Sequence, residues 1–257
     1  MASTSPLLHP GIIAAIVFVL LVGGAGVGMA LRQRLPADHL SADSRDSVKL
    51  AMGLIATMAA LVLGLLIASA KSAFDTTESE FREMAANVLL LDRLLAGYGP
   101  DAKDARDAIR QSVARRLEAL DAAEPPDIDM PGMTSNVESI EKRLRALMPA
   151  SDEQTWLKTR AVQVASDVAR TRWLVLGSSG PAIQMPFLVV LAFWLSALFA
   201  SFGLFAPRNG TVMVVLVLSA ASVATAIFLI LEMGSPFAGV MRISSAPLRY
   251  TFAHLGE

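Results

Sequence analysis

Four uncharged apolar runs punctuate this chain, and a long stretch of helical periodicity separates the second from the third. The runs are Gly11 to Leu31, Leu50 to Ala70, Pro181 to Ala206 and Thr211 to Leu231. Each is long enough for one helix to cross a bilayer, which takes roughly 20 residues. The second run passes directly into KSAFDTTESEFREMAANVLLLDRLLAGYG, which is charged and compatible with water. Neither proline nor glycine interrupts Ala68 to Ala96, so the pattern predicts one helix that leaves the membrane and continues into solvent, ending at Gly97 and Gly99-Pro100. The other elements are expected to pack around this rod.

Two spacings are written on the rod. In its apolar half Ala56, Ala60, Gly64, Ala68 and Ser72 recur every four residues, a small-residue stripe that lets another helix come close in lipid. In its charged half Phe74, Thr77, Phe81, Met84, Val88, Leu91 and Leu95 alternate spacings of three and four, a seam that needs a partner helix. Leu157, Ala161, Val164, Val168, Thr171 and Val175 repeat that spacing and are the natural partner. Between them, Ile109, Val113, Leu117 and Leu120 mark one helix. Val137, Ile140, Leu144 and Leu147 mark a shorter one ending before Pro149. The proline-dense stretch Glu124 to Gly132 reads as a loop. Ser41 or Asp43 can cap the start of the rod, and Pro181 and Pro186 fall in the first turns of the third span.

The expected fold is therefore all-α: an integral membrane protein with four transmembrane helices and a helical-bundle insert continuous with the second and third spans. Residues 1–70 hold the first two spans and their connector, 71–180 the extramembrane bundle, and 181–234 the third and fourth spans. Residues 235–257 form a C-terminal interfacial tail, which can lie along the membrane surface or dock on the bundle. A secretory signal peptide is a poor reading of the first run, because no lysine or arginine precedes it and the apolar stretch exceeds a signal core.

Composition agrees. Hydrophobic residues make up 54% of the 257 positions and mean hydropathy is +0.52, which points to membrane lipid as the surroundings and the cell membrane as the location. A net charge of −1 leaves no basic field to hold nucleic acid. With no cysteine, disulfides, thiolate catalysis and thiolate-bound metals are excluded. His9, His39 and His254 lie far apart in two tails and a connector, read as exposed loop histidines, so catalytic, metal and cofactor sites are all expected to be absent. Gly26-Val-Gly28 sits inside an apolar span and is read as thin helix packing, not phosphate binding.

Three places can carry function. At the membrane exit of the rod Ser69, Lys71, Ser72 and Asp75 cluster below Ala56, Ala60, Gly64 and Ala68; in an oligomer with this helix at the axis, Lys71 would form a ring attracting small anions. The plainer reading has Lys71 snorkelling to headgroups and pairing with Asp75 four residues on. In the fourth span Ser222, Thr225 and Glu232 lie near one face and Ser219 close by, either as an ion path or as hydroxyls bonded between helices. The third place is the insert, which can bind a partner or assemble the oligomer.

Orientation stays open. Arg32, Arg34, Arg45, Lys49 and Arg208 gather on one side, which puts the insert outside if long regions are discounted. Counting Lys71, Arg82, Arg170 and Arg172 with Arg242 and Arg249 balances the two sides.

LVLGLLIASAKSAFD (61–75), NVLLLDRLLAGYGP (87–100) and SPFAGVMRISSAPLR (235–249), in this order of spans, resemble the bestrophin-like family of bacterial multi-pass membrane proteins. The resemblance implies a remote similarity to bestrophins, which are pentameric anion channels with four spans and a cytosolic helical segment between the second and third. A pentamer is implied only in that way. The second span here has no aromatic residue from Leu50 to Ala70, and no acidic cluster corresponds to the bestrophin calcium site, so the residues of selectivity and gating do not carry over. The functional expectation is an oligomeric anion channel lined by the second span. Its rival is a non-conducting membrane-anchored scaffold or sensor.

Overall fold

The computed structural model describes residues 9–36, 41–121, 131–177, 185–207, 209–237 and 239–256, with backbone alone at 131–138, 175–177 and 185. The helices are α1 (Pro10–Leu31), α2 (Ala42–Tyr98), α3 (Lys103–Asp121), α4 (Pro131–Ala146), α5 (Asp152–Gly177), α6 (Met185–Phe205), α7 (Gly210–Met233) and α8 (Ala246–His254). A single 3-10 turn, Pro100–Ala102, joins α2 to α3, and no strand occurs among the described residues. The fold is all-α, and among the described residues four helices are long and apolar enough to cross a membrane.

The central helix is unbroken over 57 residues. Ser41 serves as its cap, its hydroxyl accepting from the Ser44 N–H at 3.3 Å, while Asp43 lies within the first turn. It stops at Tyr98 because Gly99 turns the chain with φ +112°, open to glycine without strain, and Pro100 follows. Pro186 is the second residue of α6, where proline costs least. The expected loop at 124–132 falls largely outside the described residues, but Pro131 and Gly132 belong to α4. A proline supplies the φ of a first helical turn, so this one opens the helix where the sequence pattern had it in the loop. The join between α5 and α6, with Pro181, and His39, Arg208 and the Val137 and Val175 side chains also lie outside the described residues.

Two compact units emerge, residues 1–73 with 181–234, and residues 74–180 with 235–257. In the first, α1 packs on both α6 and α7. Its buried positions Ala14, Val17, Leu21, Ala25 and Gly28 follow helical spacing. Contact is close enough that a Cβ on Gly28 would sit 2.0 Å from the Ala200 carbonyl oxygen, and one on Gly203 2.0 Å from that of Ala25. The glycines of the first run are thus partly helix packing: Gly24 and Gly28 meet α6, while Gly23 and Gly26 face open space. Arg32 adds a bond from its guanidinium to the Ala206 carbonyl.

The second unit has its own core. Phe81, Leu91, Leu95 and Tyr98 of α2 meet Ile109 and Val113 of α3, Leu144 of α4, and Leu157, Ala161 and Val164 of α5. The α2 seam and its α5 counterpart share this core as their matching periodicities require. The tail forms part of it too. Leu248 and Leu255 are buried in the core, Phe237 meets the Phe81 ring edge-on at 5.7 Å, and the Thr251 hydroxyl donates to the Ala85 carbonyl at 3.0 Å. Residues 235–237 and 239–256 pack with the bundle in this unit, their apolar positions completing its core.

Candidate functional site

Within the first unit the apolar half of α2 is set apart by its exposure. Ala59 and Ala70 are buried, and positions 11 apart fall on nearly the same side of a helix, so they mark the face that packs within the chain. The small-residue stripe lies on another face. Ala56 is half-buried, whereas Ala60, Gly64, Ala68, Ser69, Lys71 and Ser72 are exposed, and a Cβ added to Gly64 would meet nothing within 4 Å. Large apolar side chains flank the stripe, Leu61 at 71% and Leu65 at 70% exposure. Just past this unit, Asp75 is exposed as well. Within the chain α1 and α6 approach closely at Gly24, Gly28 and Gly203, whereas the α2 stripe is exposed from Ala60 onward.

The hydroxyls of α7 take a local role. Ser222 donates to the Leu218 carbonyl at 2.9 Å and Thr225 to the Ala221 carbonyl at 2.8 Å, both bonds within the helix and not across to a neighbour. Both residues and Ser219 are exposed while Glu232 is buried, so they do not line one path. His9 caps α1, its Nδ1 accepting from the Gly11 N–H at 3.3 Å. His254 lies against the Tyr250 ring, centroids 4.3 Å apart. Among the described residues, no group of three or more His, Cys, Asp or Glu could hold a metal ion.

Sequence reasoning missed a polar assembly in the second unit. Asp92 is buried at 1% exposure and takes a two-pronged contact from Arg106, Nε to Oδ1 at 2.8 Å and Nη2 to Oδ2 at 2.9 Å. The Gly256 N–H adds a bond to Oδ2 at 3.2 Å. Burial pushes the Asp92 carboxyl up, but the bonds from Arg106 and Gly256 and the charges of Arg106 and Arg93 outweigh it and hold the group below the usual carboxylate value. The bond to Asp92 raises the Arg106 guanidinium in turn, more than burial lowers it. Around this pair opens a cavity of about 510 Å³. A signal was present, since Asp92 is the one carboxylate in the run NVLLLDRLL, directly between seam residues Leu91 and Leu95. Nearby in chain order, burial first and then the Arg172 charge lower the Arg116 guanidinium, which sits 5.7 Å over the Phe237 ring.

The family model for the Bestrophin-like domain matches residues 19–248, from the middle of α1 into α8. The chain belongs to the bestrophin-like family. No curated protein and no solved structure matches it. The bestrophin-like match spans both units, including the docked tail as far as Leu248.

Proposed function

We propose that this bestrophin-like chain is one subunit of a homo-oligomeric channel in the cytoplasmic membrane, with α2 lining a path for small anions. The observation that carries the reading is the uncovered α2 stripe. Three spans pack on one another through α1, while Ala60, Gly64 and Ala68 remain exposed on a helix otherwise rich in bulky apolar residues. Small side chains on a bare face permit close packing of copies or room for a conduit. Lys71 shares a helical side with Gly64, seven residues earlier, and would place a ring of positive charge beside the conduit. Family membership supports the reading through the remote similarity to anion channels.

The test is flux from chloride-loaded liposomes holding the purified assembly. Chloride release is expected, and Lys71→Glu should shift preference toward cations. Silence across salts and voltages would leave the chain a non-conducting scaffold or sensor. That second reading draws on one observation, the exposure of Trp156 and Trp173 on α5 at 63% each, since aromatic side chains favour protein interfaces. It expects Trp156→Ala to abolish capture of a specific protein by the full chain.

A further inference from the structure

We propose that the cavity beside Gly256 binds a small phosphate monoester, held by Lys103 and Arg110 of α3. The space, about 510 Å³, is bounded by the end of α2, the Gly99–Pro100 corner, one side of α3 and Gly256, and is of the size that takes a small organic molecule. Lys103, Arg106 and Arg110 are spaced by three and four residues and so form one row along α3. Their charges are not equally available. Arg106 is matched by Asp92 in the cavity wall, which leaves that pair neutral and rigid. Lys103 is exposed and has no ion pair among the described residues. Arg110 donates Nη1 to the Leu255 carbonyl at 3.3 Å and lies 5.5 Å over the Phe252 ring, contacts that orient the guanidinium without cancelling its charge. Among the described residues of the lining, Asp107 is the one carboxylate set against these two cations, and these residues together carry a positive surplus.

A phosphate monoester carries a charge of about −1.5 to −2 near neutral pH and offers oxygens in the geometry an arginine fork accepts. Inorganic phosphate would leave most of the space empty. Ala96 and Pro100 give the lining an apolar part on which the organic body can rest.

The test titrates glycerol 3-phosphate, and separately inorganic phosphate, into the detergent-solubilised full chain at constant ionic strength, following thermal unfolding. A saturable rise in Tm is expected, at lower concentration for the ester. Lys103→Glu should weaken binding by at least about tenfold, the scale of losing one charge-assisted contact, and Arg82→Gln, remote on α2, should leave it unchanged. Circular dichroism establishes that each variant is folded; Lys103→Met is the milder replacement if Lys103→Glu is not. Phosphatidic acid added to the micelle separates a lipid headgroup from a soluble ester as the source. A rise with either source that depends on Lys103 supports the site. No saturable rise, or one equal in the Lys103 variants and the parent, overturns it as an adventitious ion only. Chloride flux is read separately, so failure of the channel reading leaves this result standing.

Discussion

Three donors surround Asp92 and, with the charges of Arg106 and Arg93, favour its ionised form against burial, which makes the bundle sensitive to acid. Its pKa is lowered in the folded chain, so its contribution is complete above the unfolded value of about 3.9 and is lost as pH falls through the lower folded value. Thermal unfolding followed against pH should therefore show the tail-docked bundle weakening below about pH 4, with Asp92→Asn flattening that dependence. The same variant should cost about 3 kcal/mol at neutral pH, the low end for breaking a buried pair, because Arg106 keeps 22% of its side chain in water. Hydrogen exchange at the Gly256 amide gives a second readout, since that N–H loses its charged acceptor. At Gly28 the limit is steric. A methyl there would overlap the Ala200 carbonyl, so Gly28→Ala should destabilise the α1–α6 contact by about 1–3 kcal/mol, whereas Gly26→Ala, facing open space, should be near neutral. Equal effects of the two on thermal stability would contradict the packing.

At the scale of elements, α2 owes its length to the absence of any proline over 57 residues, and that continuity is testable at one position. Ser72→Pro removes a backbone N–H and sets the ring against the Ala68 carbonyl, which should cost about 3 kcal/mol or more, while Ser72→Ala should cost well under 1. Thermal unfolding that ranks the two equally would deny a continuous helix through this point. Such elements were legible in the sequence because spans and seams are local: Phe81, Leu91 and Leu95 announce their buried side by spacing alone, and Leu157, Ala161 and Val164 repeat it. What escaped is what depends on distance along the chain. Asp92 meets Gly256 across 164 positions, and Thr251 reaches Ala85 across 166, pairings that no periodicity encodes. Small residues were ambiguous for a related reason. Gly28 and Gly64 both sit in apolar helices at four-residue spacing from another small residue, yet a Cβ on one would press against a neighbouring backbone and a Cβ on the other would meet nothing within 4 Å among the described residues. The Ser222 and Thr225 hydroxyls were equally ambiguous, since each can be satisfied by its own helix as well as by another.

The whole molecule turns on what covers Gly64. Three spans are tied together through α1, and the apolar part of α2 leaves Leu61, Leu65 and the small stripe outside that contact. If lipid alone covers them, the small residues confer nothing. If a second copy covers them, Gly64 is where two backbones approach closely, and a bulky side chain there separates the copies without disturbing the chain that carries it. Gly64→Leu should then lower the mass of the solubilised assembly to that of one 27.3 kDa chain plus detergent while the pH dependence set by Asp92 stays unchanged. Labelling Met148→Cys, 85% exposed in a chain with no native cysteine, with an impermeant reagent on intact cells reports which side the bundle occupies. A parent protein that already runs as a single chain has no central axis, and the conduit along α2 falls with it. An oligomer indifferent to Gly64→Leu moves the contact to another face and leaves Lys71 without a ring to form.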